Sequence, residues 1–83
     1  MKEFLYFSAS WCGPCLQLGP TMDQLSREGI NVRKIDVDSN PALTSQYNIR
    51  NVPTVILIKN SQEIARQVGN QPKSYYNNLW QSN

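Results

Sequence analysis

Cys12 and Cys15 are the only cysteines of this 83-residue chain, and they lie in the run Trp11-Cys12-Gly13-Pro14-Cys15. Cysteines at this spacing have two main chemistries. They can close a redox-active disulfide within one helical turn, or supply two thiolates to a metal. A structural zinc site takes four ligands, usually Cys or His, and the chain has no histidine. One chain alone therefore cannot build such a site, although a zinc or iron–sulfur centre bridging two chains stays open. A purely structural bridge is a poor use of the pair, because so short a loop restrains the unfolded chain by only about 2 kcal/mol. Two inert buried thiols fit worse still, since the first cysteine is placed at the start of a helix.

The redox reading has a mechanism. At a helix N-terminus, free backbone N–H groups and the helix dipole favour a thiolate at Cys12. Cys15, one turn further on, is within the Cα separation of about 4.4–6.8 Å that a disulfide needs. Cys12 then attacks a substrate disulfide, and Cys15 resolves the mixed disulfide and leaves Cys12–Cys15 oxidised. Gly13 keeps the sulfur approachable and Pro14 stiffens the loop.

The elements that must position this pair are legible from pattern. Glu3–Ser8 is short, aromatic-rich and bounded by small residues, which predicts a strand. From Pro14 to about Glu28, the spacing of Cys15, Leu18, Met22 and Leu25 predicts a helix that Pro20 should kink and Gly29 should close. Asn31–Val37 predicts a second strand and Pro41–Tyr47 a short helix. Thr54–Ile58 is a continuous apolar run, the mark of a strand buried on both faces. A polar turn over Lys59–Glu63 leads to a hairpin partner at Ile64–Val68, and Pro72 opens a last helix in which Tyr75/Leu79 and Tyr76/Trp80 are four apart. The fold class is α/β: a mixed four-stranded sheet in the order βαβαββα, with a right-handed crossover and helices on both faces. Residues 1–83 are expected to form a single domain.

Composition removes several function classes. The hydrophobic fraction is 40%, so a folded core is expected, and the formal charge is only +2. The basic residues are scattered, and no stripe of them supports nucleic-acid binding. No segment has the length or apolarity of a membrane span or a signal-peptide core, so a cytoplasmic monomer is expected. In a reducing compartment, paired cysteines are more often catalytic or metal-bound than structural.

The pentapeptide resembles the active site of the thioredoxin family. The likeness extends through Pro20, Lys34, Asp38-Ser39-Asn40-Pro41, Tyr47-Asn48-Ile49-Arg50, Val52-Pro53-Thr54 and Val68-Gly69. The resemblance implies a thioredoxin fold and dithiol–disulfide exchange with disulfide-containing protein substrates. It makes Cys12 the nucleophile and Cys15 the resolving thiol, with Trp11, Gly13, Pro14 and Lys34 supporting them. Sequence alone would make Val52–Pro53 trans, but the resemblance implies a cis-proline facing the site. Val52 then offers backbone hydrogen bonds to a substrate strand, and Gly69, like Trp11, borders the substrate groove. No metal or bound cofactor is implied. Electrons would come from an external donor, either a thioredoxin reductase or the glutathione system.

Two departures from the family are expected. The chain enters the strand before the active site at residue 3, which suggests a minimal version lacking an N-terminal strand and helix, with one edge strand lost. The family's buried aspartate, five residues before the active-site tryptophan, is replaced by Tyr6. Cys15 would then lose its proton through water or Lys34. Two alternatives stand beside the reductase. One is a glutaredoxin-like, glutathione-coupled protein, against which Gly13-Pro14 and Val68-Gly69-Asn70-Gln71 argue. The other is a thioredoxin-like binding subunit in which the thiols are idle.

Overall fold

A computed structural model describes every residue, Met1–Asn83. The elements are β1 (Lys2–Ser8), α1 (Gly13–Arg27), β2 (Val32–Asp36), α2 (Pro41–Gln46), β3 (Thr54–Lys59), β4 (Gln62–Val68) and α3 (Lys73–Gln81). The sheet order is β2-β1-β3-β4. β1 pairs in parallel with β2 and antiparallel with β3, and β4 adds antiparallel to β3. The expected α/β fold is the one observed.

The side-chain alternation of β1 divides the core into two layers. Phe4 and Tyr6 face one side, where they pack with Val55 and Leu57, with Leu18, Met22 and Leu25 of α1, and with Tyr76 of α3. Leu5 and Phe7 face the other side, with Ile35, Ile56 and Ile58, beneath Leu43 and Tyr47 from α2 and its C-cap. The apolar run of β3 is buried from Thr54 to Ile58, as a central strand covered on both faces must be. α1 buries Cys15, Leu18, Met22 and Leu25, the stripe its sequence spacing marks, and runs through Pro20 on its exposed side.

The expectation of a missing N-terminal strand and helix is corrected here. β1 is a central strand, hydrogen-bonded along both sides, and α1 follows it directly to cover the sheet. Every residue of β2 pairs with β1, from Phe4↔Val32 to Ser8↔Asp36. β2 is itself the edge, and it carries Arg33 and Lys34, charges of the kind that protect an edge from further pairing. The hairpin is also tighter than the sequence suggests. Asn60 and Ser61 have φ of 53° and 68°, the left-handed pair of a two-residue turn. Pairing therefore resumes at Lys59↔Gln62, and β4 starts two residues earlier than its apolar pattern indicates. A register shift at Leu57/Ile58 leaves Ile64 without a partner in the ladder.

Candidate active site

β1 ends at Ser8, and a short loop delivers Cys12 to the N-cap position of α1. Cys12 is extended (φ −94°, ψ 111°), and its sulfur accepts a hydrogen bond of 3.2 Å from the Cys15 backbone N–H. A helix N-terminus leaves its first N–H groups without intrahelical partners, so a sulfur placed here satisfies one of them. Pro14 in the first turn has no N–H to satisfy. Cys12 and Cys15 are bonded as a disulfide with their Cα atoms 5.2 Å apart. Both are almost closed to solvent, at 5% and 4% exposure. The sequence pattern did not anticipate so covered a nucleophile. A Cβ built at Gly13 would meet nothing, so the exposed side of the loop is open space.

The opposite wall comes from the segment before β3. The Val52–Pro53 peptide is cis, as the resemblance implied. The Val52 carbonyl oxygen lies 3.6 Å from Cys12 Sγ, where it can accept from the thiol when the pair is reduced. Gly69, just after β4, donates its N–H to the Pro53 carbonyl at 2.9 Å. Its φ of +86° is a conformation that favours glycine. Gly69 thus serves as a turn residue and as a brace for the proline wall.

Trp11 is 69% exposed, and its indole N–H donates to Asp38 Oδ2 at 2.9 Å. With Arg50, Asn51 and Val52 it lines a shallow groove of about 270 Å³ beside the cysteines. Asn70 donates from its side chain to the Pro14 carbonyl at 3.1 Å and ties the loop after β4 to the start of α1. Asp38 belongs to a run the sequence had singled out, but its role as the partner of Trp11 carries no local signal. The tie from Asn70 to Pro14 likewise carries no local signal.

On the other side of the disulfide, Cys15, Tyr6, Ser8, Lys34 and Asp36 help to line a cleft of about 410 Å³. Tyr6 occupies the place where the family resemblance leads one to expect a carboxylate. Its hydroxyl donates to the Cys15 carbonyl at 2.9 Å, and its side chain is buried. Burial pushes the phenol up; a hydrogen bond with Ser8 opposes the shift, and the charge of Asp23 adds to it. The Lys34 ammonium lies 6.0 Å from the centre of the Tyr6 ring, so the two face the same cleft from adjacent strands. Lys34 joins Cys15 on this side; Trp11 and Val52 line the groove on the other, where Pro53 follows Val52 and is held by Gly69. No group of three or more His, Cys, Asp or Glu side chains is placed to hold a metal, and the redox chemistry rests on Cys12–Cys15.

A family model described as Thioredoxin matches residues 2–81. The chain belongs to the thioredoxin family. It is similar to thioredoxin of Haemophilus influenzae, 43% identical over 78 residues, a match covering 90% of this chain and 73% of that protein. Thioredoxin of Chlorobaculum thiosulfatiphilum is 42% identical over 71 residues, covering 82% of this chain and 66% of that protein. Among solved structures, a single-residue mutant of thioredoxin from Halobacterium salinarum superposes with a TM-score of 0.92 at 38% identity, covering 98% of this chain and 73% of that one. A malaria parasite thioredoxin-2, described as a component of that parasite's protein secretion machinery, gives a TM-score of 0.94 at 29% identity, covering all of this chain and 84% of that one. The thioredoxin elements β1-α1-β2-α2-β3-β4-α3 are thus all present, and the reading of a chain short of a strand and helix falls. The chain is a thioredoxin-type oxidoreductase carrying a CxxC disulfide pair. No helix in it is long and apolar enough to cross a membrane.

Proposed function

We propose that residues 1–83 work as one redox unit, a protein-disulfide reductase that cycles between the Cys12/Cys15 dithiol and its disulfide. The observation that carries this reading is the sulfur of Cys12 at the N-cap of α1, hydrogen-bonded by the Cys15 N–H and facing the carbonyl before a cis-proline. In the reduced state the N–H groups and dipole of α1 favour the Cys12 thiolate. That thiolate attacks one sulfur of a substrate disulfide, and the other leaves as a thiolate. The backbone of Val52 beside Pro53, with Trp11 and Gly69 as borders, suits an extended substrate segment. The Cys15 thiolate then attacks Cys12, the mixed disulfide breaks, and the reduced substrate departs.

The exposed indole of Trp11 and the shallow groove are suited to protein surfaces more than to a small ligand. The chain has no nucleotide-binding motif, so a thioredoxin reductase or the glutathione system regenerates the dithiol, and the protein works as a monomer in a reducing compartment such as the cytoplasm. Gly-Pro between the cysteines favours reduction over donation of disulfides.

Equilibration of Cys12–Cys15 against a thiol buffer tests the direction of electron flow. The expected potential is more reducing than the roughly −180 mV of a disulfide isomerase; a value above it would overturn the reductase reading. Cys12→Ser should abolish turnover, and Cys15→Ser should trap substrates as mixed disulfides on Cys12. Unchanged activity of Cys12→Ser with a protein partner would favour a binding subunit instead.

A further inference from the structure

Resolution of the mixed disulfide needs Cys15 as a thiolate, and a thiol of ordinary pKa, about 8.5, is only about 3% ionised at pH 7. A proton acceptor beside Cys15 can therefore speed this step by up to about thirtyfold. The buried position suited to such a group holds Tyr6, whose hydroxyl is already donating to the Cys15 carbonyl. A phenol in that state cannot take a proton from the thiol. The acceptor has to lie elsewhere.

The cleft on this side of the disulfide supplies it. The cleft is lined by Cys15 itself and by one carboxylate, Asp36, at the end of β2. Asp36 stands opposite Ser8 in the β1–β2 register, one pair along from the Phe7↔Ile35 core pair, and on the same strand face as Lys34. Its side chain is held in place: Asp36 Oδ1 accepts the Asp38 backbone N–H at 2.9 Å, which leaves Oδ2 free of protein partners in the hydrogen bonds of the structure. At about 410 Å³ the cleft is roomy enough for several waters at about 30 Å³ each, and Ser8, Ser10, Lys34 and Asp36 in its lining offer them polar partners. The other carboxylate acting on this region, Asp23 of α1, bears on Tyr6 but does not line the cleft.

We infer that Asp36, acting through water in this cleft, accepts the proton of Cys15 during resolution, so that a carboxylate at the open end of β2 replaces one in the core. The inference rests on the reductase reading given above. In the step, the Cys15 S–H proton passes through water to the Asp36 carboxylate. The Cys15 thiolate then forms a bond to Cys12 Sγ as the Cys12–substrate S–S bond breaks. The departing substrate sulfur takes the electron pair and is protonated from solvent or from Asp36. The charged and titratable groups facing Asp36 are Lys34 along its own strand, Tyr6 across on β1 and Asp38 in the following loop. The Lys34 ammonium favours the approach of an anionic sulfur.

The test separates the two half-steps. Reduced protein mixed with dithionitrobenzoate in a stopped-flow instrument releases one coloured thiolate when Cys12 attacks and a second when Cys15 resolves. Asp36→Asn keeps an oxygen for the Asp38 N–H but loses the proton-accepting carboxylate. It should slow the second phase about three- to thirtyfold near pH 7, leave the first phase unchanged, and converge with the wild type once pH exceeds the thiol's own pKa. Asp36→Glu should restore part of the rate, and Asp23→Asn should leave the second phase unaltered. A second-phase pH profile of Asp36→Asn that superimposes on the wild type overturns the inference. So does an equal slowing of both phases, which would mark a structural effect, or an equal loss in Asp23→Asn. In each of these cases the wild type still exchanges disulfides and the reductase reading stands. A wild type that gives neither phase would overturn both.

Discussion

Tyr6 shows how one side chain can keep a position's place in the fold while changing its chemistry. It pairs with Lys34 and Val55 along the two neighbouring strands and belongs to the α1-side core, so an aromatic ring is physically at home there. What the ring adds is a hydroxyl that reaches the Cys15 carbonyl across the sheet–helix interface. That bond ties the central strand to the first turn of α1, the turn that holds both sulfurs. Tyr6→Phe removes the donor, but the carbonyl it served lies within a helix and keeps its helical acceptor role. The expected loss is therefore that of one net hydrogen bond, about 1 kcal/mol. Urea unfolding of the oxidised protein should show it as a lower midpoint with an unchanged slope. An unchanged midpoint would mean that the bond contributes nothing to holding α1 against β1.

The brace from β4 to the cis-proline works at the scale of elements. Gly69 ends β4 with φ +86°, and its N–H holds the Pro53 carbonyl that precedes β3. A Cβ at this position would meet no atom within 4 Å, so Gly69→Ala should suffer from backbone conformation alone. About 1–2 kcal/mol of stability should be lost, measurable as a shifted denaturation midpoint, and the Val52–Pro53 wall should loosen enough to weaken substrate binding. A fully stable variant would show that this turn tolerates a side chain. The same elements show what sequence reading can reach. α1 and β3 were legible because their apolar residues repeat at periods set by helix and sheet geometry, and the cysteine spacing marks a chemistry whatever the fold. Local pattern makes Gly69 only a turn glycine, and its place beside the groove came from the family resemblance. Its tie to Pro53, the link from Trp11 to Asp38 and the link from Tyr6 to Cys15 join residues distant in sequence, and no local pattern encodes them. The Asn60–Ser61 turn was missed for another reason: both residues adopt positive φ without a glycine, so the hairpin reads as longer than it is.

Across the whole molecule, two of the three ion pairs join separate elements, the third (Glu63–Arg66) lies within β4, and each has at least one solvent-exposed partner. Glu3–Arg33 links β1 to β2, and Glu28–Lys73 links the end of α1 to α3. Exposed pairs of this kind contribute little, so the two apolar layers carry the stability. Its pH dependence should accordingly show at the alkaline end, where buried phenols titrate. Tyr6 and Tyr76 both lie on the α1/α3 side, and burial pushes both phenols above their ordinary pKa. A folded pKa above the unfolded one means that the unfolded chain loses its proton first. The stability these phenols support is therefore intact below about pH 10 and drains away as pH rises through the folded pKa. Tyr76 separates this titration from hydrogen bonding, because its buried hydroxyl has no hydrogen-bond partner; the Gln71 backbone is near enough to ease the shift but lies outside bonding geometry. Tyr76→Phe removes an unsatisfied polar atom and keeps the ring that packs edge-on to Phe4 and Tyr75. At pH 7 the variant should be as stable as the parent or about 1 kcal/mol more stable, and above pH 10 its stability should fall less steeply. Unfolding midpoints measured at both pH values check the two parts independently. A loss of stability at pH 7 would mean that the hydroxyl has a partner in solution, and an unchanged alkaline slope would assign the titration to Tyr6 alone.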